Sequence, residues 1–181
     1  MKKSHLKFKY ILPTIALAVV ALPQLAFASD ISPQNIFLLV NKERTTRGLV
    51  PLRENTNLTN AATAKSTDMI NRNYFDHYAF GLTPWDFVLS YDYNYLTAGE
   101  NLAMDFETSE GVVKAWMESS SHRANILNPD FQDLGVGVVK GAYINNEGTH
   151  ETKMVTQMFG RHKSVIVQAF DNIISAFQNM F

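Results

Sequence analysis

The residues best suited to chemistry fall in three stretches of a 181-residue chain. Trp116 to Pro129 is the densest: Glu118, three serines, His122, Arg123 and Asn125 lie between the apolar anchors Trp116, Met117, Ile126 and Leu127. Polar groups held between core anchors have fixed positions, which a site requires. The second stretch is Ala98-Gly99-Glu100-Asn101-Leu102-Ala103, where a carboxylate enters apolar surroundings. A buried carboxylate needs a partner: a His, a metal or backbone N–H groups. The third is Tyr74-Phe75-Asp76-His77-Tyr78, a His in an aromatic cluster. An imidazole and a carboxylate together can share a proton, hold a cation or hydrogen-bond a ligand. Glu118 lies four residues before His122, but Ser119-Ser120-Ser121 between them is poor helix material, so Glu118 reads as a solvated helix-end acid.

These residues need a scaffold. Ser32-Pro33 suits a cap and first turn, and Ile36, Leu39 and Val40 form one helical face that Gly48 ends. A second helix is expected from a cap at Asn57 to Arg72, with Leu58, Ala61, Ala62, Met69 and Ile70 as its stripe. Thr83-Pro84-Trp85-Asp86 carries the spacing of a capping box. Thr108 or Ser109 caps a further helix through Met117. The serines break it, with Ser121 expected to cap a short turn over His122 to Leu127. Leu134 to Val139, the turn Asn145-Asn146-Glu147-Gly148 and Thr152 to Phe159 read as an antiparallel hairpin. Helices followed by an antiparallel meander predict an α+β domain.

Composition narrows the classes. Lys2, Lys3, Lys7 and Lys9, an apolar run from Tyr10 to Leu22 and Ala26-Phe27-Ala28 form a secretory leader over residues 1–28. Export is therefore expected, with a domain over 29–161 and a separate tail over 162–181. Removing the leader's four lysines leaves 12 basic against 17 acidic residues, a formal net of −5. That argues against a nucleic-acid footprint, which needs a clustered basic face. The chain has no Cys, so disulfides and thiol chemistry are excluded. Ile166, Phe170, Ile173, Ile174, Phe177 and Phe181 give the tail one apolar helical stripe, with Asp171 its single charge beyond Ser164. Interfacial helices usually carry Lys or Arg, so docking or self-association is favoured over a membrane surface.

Taken together, the motifs resemble the CAP superfamily, the domain of cysteine-rich secretory proteins, antigen 5 and plant pathogenesis-related 1 proteins, also called SCP. The likeness is nearest to its bacterial secreted branch. It is carried by Val40-Asn41-Lys42-Glu43-Arg44 with Gly48 to Leu52; Leu58 with Ala61-Ala62; Asp68-Met69 with Tyr74 to His77; Gly99 to Ala103; Trp116-Met117 with His122 to Pro129; Gly135-Val136-Gly137; and Thr156 to Gly160. The resemblance implies a three-layer α-β-α sandwich with a central antiparallel sheet and a large cleft. In many eukaryotic members two His and two Glu line that cleft and can hold a divalent metal, often zinc. His77 matches the first His and Glu100 the Gly-Glu-Asn acid. The second acid falls on Ser119, with Glu118 one residue early, and the second His falls on Met154. In the bacterial branch a Gly-His-Arg type motif supplies a cleft His, matched by His122 with Ser121 in place of Gly. Asn101, Trp116, Arg123, Asn125 and Gln157 lie in the matched motifs and are expected to support the cleft.

Two functions compete. One is a secreted module whose cleft binds a lipid, small molecule or protein. The other is a metal-dependent, protease-like hydrolase in which His77, Glu100 and His122 hold zinc and Glu118 or Glu100 is the base. A Ser121–His122 hydrolase is a weaker third, since adjacent residues rarely aim their side chains at each other.

Overall fold

The computed structural model describes residues 30–163 and, in the tail, Val167, Ala169, Ile173, Ile174, Phe177 and Gln178. The leader and the rest of the tail stripe lie outside the described residues. The elements are α1 (Pro33–Thr45), β1 (Arg53–Glu54), α2 (Thr56–Arg72), α3 (Pro84–Ser90), β2 (Tyr95–Ala103), α4 (Ser109–Glu118), α5 (Ser120–Ile126), β3 (Asp133–Asn145) and β4 (Gly148–His162).

Local chemistry sets most boundaries. The Ser32 hydroxyl accepts from Asn35 N–H at 3.2 Å and starts α1. The Asp86 carboxylate reaches back to Thr83 N–H at 2.7 Å and fixes the start of α3. Thr108 caps α4 through Gly111 N–H. The cap of α2 is Asn55, which accepts from Leu58 N–H at 3.1 Å, and not Asn57. Asn57 lies inside the first turn, where it cannot reach that donor. The helix break falls as expected, but Ser119 ends α4 and begins α5, so Ser121 is already helical.

The sheet order is β1-β3-β4-β2. β3 and β4 form the expected hairpin, closing at Asn145 and Gly148, and β2 runs antiparallel to β4. Two features depart from a run of helices followed by a meander. β2 precedes α4 and α5, and β1 pairs with β3 in parallel at Arg53 and Glu54. Both are settled by tertiary packing, since a two-residue exposed strand has no apolar pattern of its own.

Helices cover both faces, giving three layers. On one face Ile36, Val40, Val112, Trp116 and Ile126 pack against Leu134, Val136, Val155 and Phe159. On the other, Leu58, Ala61, Ala62 and Val88 pack against Met158 and Tyr93. The second face is unusually close. A Cβ on Gly135 would lie 2.1 Å from the Leu58 carbonyl carbon, and one on Gly137 would lie 2.4 Å from that of Ala62. The glycines let α2 lie directly on the β3 backbone. On the α1 side, buried Arg44 donates to the carbonyls of Val50, Ile126 and Asn128 at 2.8–3.0 Å. It ties the end of α1 to the end of α5. Among the described residues no helix is long and apolar enough to cross a membrane.

Candidate functional site

β2 is an edge strand, and the pleat sends its successive side chains to opposite faces. Glu100 points toward α2 and its following loop. Asn101 points toward α5. This alternation builds the site from two sides.

On the α2 side, Glu100 Oε1 meets His77 Nδ1 at 2.6 Å. The Glu100 side chain is 2% exposed and that of His77 43%, so the pair reaches from the interior to solvent. The hydrogen bond to Glu100 raises the His77 pKa, and burial opposes it. Burial pushes the Glu100 carboxyl up against the pull of the same hydrogen bond and of Lys65. Both shifts favour keeping a proton in the pair. The second carboxylate oxygen, Oε2, is buried with no hydrogen-bond partner.

Under this pair lies Lys65, fully buried in α2. Its ammonium donates to the His77 carbonyl at 3.0 Å and to the Tyr74 hydroxyl at 3.3 Å, and stands 4.9 Å from the Tyr74 ring centre. Tyr74 in turn donates to Asp68 at 2.6 Å. Burial lowers the Lys65 pKa, while the charges of Glu100, Asp68 and Asp76 pull it back. Lys65 therefore both anchors the backbone that presents His77 and supplies a cation beside Glu100. The sequence reading missed it, although the signal was there. Leu58, Ala61, Ala62, Lys65, Ser66 and Met69 follow one helical stripe, so Lys65 occupies a core position.

On the α5 side an amide chain braces the strand. Asn125 Nδ2 donates to Glu100 O at 3.0 Å and to Asn101 Oδ1 at 2.9 Å. Asn101 Nδ2 donates to Gln157 Oε1 at 3.0 Å and to the His122 carbonyl at 3.2 Å. Gln157 Nε2 is buried without a partner. The Trp116 indole donates to Leu102 O at 2.9 Å, which pins α4 to β2.

His122 is half-buried on α5. Burial lowers its pKa, and the charge of His77 lowers it further. No hydrogen bond joins the His122 ring to His77 or Glu100. Glu118 lies elsewhere: exposed and paired with Lys114 at 3.0 Å, it borders a groove with Leu39 and Arg47. Arg123 donates to Met117 O at 3.0 Å and so caps α4.

The cleft at the pair encloses about 260 Å³ and is lined by His77, Tyr78, Pro84, Trp85, Ala98, Gly99, Glu100 and Asn125. A zinc site requires three or four N, O or S donors. Among the described residues no three His, Asp or Glu side chains are grouped so that they could hold a metal ion. His77 and Glu100 supply two donors already bonded to each other, and this donor set does not fit a zinc centre.

The structure is thus an α+β domain of helices packed on a four-strand sheet, with a His–Glu pair at the sheet edge. Residues 37–159 match the cysteine-rich secretory protein family, CAP, and the chain belongs to that family. It is 49% identical over 108 residues to YkwD of Bacillus subtilis (strain 168), covering 59% of this chain and 42% of that protein. It is 32% identical over 117 residues to the B. subtilis membrane protein YlbC, covering 64% of this chain and 34% of that one. The chain thus spans well under half the length of either relative. Among solved structures it is similar to an extracellular SCP-domain protein from Bacillus anthracis str. Ames, with 32% identity and a TM-score of 0.61, covering 71% of this chain and 40% of that one. It also shares its fold with an outer surface protein of Borrelia burgdorferi, with 21% identity and a TM-score of 0.60, covering 75% of this chain and 99% of that one.

Proposed function

We propose that the protein is an exported binding module whose cleft at His77 and Glu100 takes a ligand non-covalently. The supporting observation is the state of Glu100. One oxygen is held by His77, while the other is buried without a hydrogen-bond partner just behind a cleft that also presents Trp85 and Tyr78. A buried acceptor without a partner is costly unless something supplies a donor. A ligand with a hydrogen-bond donor and an apolar face would satisfy both. Of the two candidate bases, Glu100 is held by His77 and Glu118 is on another surface, paired with Lys114. The basic, apolar, small-residue pattern of residues 1–28 and the extracellular description of the B. anthracis relative support export.

The alternative is a divalent-metal hydrolase using His77, Glu100 and His122. Metal content of the purified protein, with melting temperature before and after zinc addition, separates the two. Little metal and an unmoved melting temperature are expected. Stoichiometric metal that is lost in both His77→Ala and Glu100→Ala would overturn the binding-module reading.

A further inference from the structure

One wall of the cleft is the outer edge of β2, and part of that edge is open. Ala98 lies opposite Gly160 in the β2–β4 register. The Gly160 carbonyl, however, accepts from Gln132 N–H on the far side of β4. Ala98 and Gly160 are therefore a pair without mutual hydrogen bonds, and the N–H and C=O of Ala98 point away from the sheet. By the two-residue period of a strand, those of Glu100 and Leu102 point the same way. The carbonyls of Glu100 and Leu102 are already closed by Asn125 and Trp116. Among the described residues nothing closes Ala98. Its backbone donor and acceptor face the cleft as a matched, half-buried pair.

An unpaired strand edge is a template for another strand. We infer that the cleft takes an extended peptide segment, which joins the edge of β2 at Ala98 through main-chain hydrogen bonds. This rests on the reading of the cleft as a binding site and adds the class of ligand. One peptide residue in antiparallel register would exchange two hydrogen bonds with Ala98. Its neighbours' side chains alternate, one toward Trp85 and Pro84 and the next toward Asn125. Asn125 and Trp116 limit the pairing by sealing the strand beyond Glu100, so the edge admits a short segment and not a whole additional strand.

The test uses 15N-labelled protein and a pool of end-capped tetrapeptides, randomised at the second and fourth positions. Main-chain pairing tolerates varied side chains, so the pool suffices to reveal it. The amides of Ala98 and Glu100 are expected to shift, and Ala98 hydrogen exchange to slow about tenfold at saturation. The same pool N-methylated at the third residue is expected to bind roughly tenfold more weakly. Ala98→Pro removes the donor without touching the β2–β4 ladder, to which that N–H does not contribute, and is expected to abolish the response. Should that variant fail to fold, the N-methylated pool still decides on the unaltered protein. No response at Ala98, or an equal response to both pools, overturns the inference. Signals from Trp85 and His77 without Ala98 would leave the binding cleft standing and remove only strand pairing. Silence at all of them would count against both.

Discussion

Replacing Gly135 by Ala places a methyl group 2.1 Å from the Leu58 carbonyl carbon and 2.2 Å from Thr59 N. Ordinary contact begins at 3.4 Å, so α2 and β3 must separate by about 1.3 Å at this crossing. The obstacle is helix backbone, which no rotamer change relieves. Separation draws Leu58, Ala61 and Ala62 off the sheet together, and with them the helix that carries Lys65 under His77. Overpacking of this kind typically costs 1–3 kcal/mol, and backbone against backbone belongs at the upper end. A loss of about 3 kcal/mol corresponds to a fall of roughly 10 °C in melting temperature for a domain of this size. Gly141 is the milder comparison, because the nearest atoms its added Cβ meets belong to the Ile70 side chain, with Cγ2 at 2.4 Å, and not to helix backbone. Urea and thermal denaturation of the three proteins measure the difference. Gly135→Ala should cost at least twice what Gly141→Ala does. Equal costs, or a loss under about 1 kcal/mol at Gly135, would refute the close-contact argument.

Histidine titrations by NMR should separate the two rings, with His77 above its ordinary value and His122 below it. A raised folded pKa stabilises the fold below about pH 6.5 and is lost as pH rises through that folded value, so the His77 contribution should fade on the alkaline side. In Glu100→Gln, which removes the main cause of the shift, His77 should titrate lower and the alkaline loss should shrink. Arg44→Ala leaves three carbonyls without their donor, two of them at the end of α5, and should cost about 3 kcal/mol by urea denaturation. Glu118→Ala breaks only an exposed pair with Lys114, so stability should stay within about 0.5 kcal/mol and NMR signals of His77 and Trp85 should not move.

Much of the scaffold was legible because its boundaries are written in local chemistry. Ser32, Thr83 with Asp86, Thr108 and the Asn145–Gly148 turn each act within four residues of themselves. β2 was not read as a strand. Ala98-Gly99-Glu100-Asn101 has no period-two alternation, because its two faces serve different ends, a polar pair on one and an amide brace on the other. The parallel pairing of β1 is likewise set by where β3 arrives and not by Arg53 and Glu54 themselves. His77 and Glu100 were legible as candidates, but their contact joins a loop to a strand 23 residues away, which no local pattern encodes. Lys65 is legible only through register: its place in the α2 stripe marks it as internal, although a lysine's charge ordinarily keeps it at the surface.

The pleat at Glu100 and Asn101 also limits how such a domain can diversify. Glu100 serves the cleft while its neighbour anchors the amide network behind it, so inserting or deleting one residue in the regularly paired stretch from Thr97 to Glu100 would exchange their roles. The carboxylate would face α5 and the amide would face His77. Length changes should therefore accumulate in the connections at either end, around 91–94 and 104–108. Within β2, variation is confined to one-for-one replacement. New specificities can arise most freely from the side chains opposite the strand, at Tyr78, Pro84 and Trp85, where the wall changes without shifting the frame that holds it.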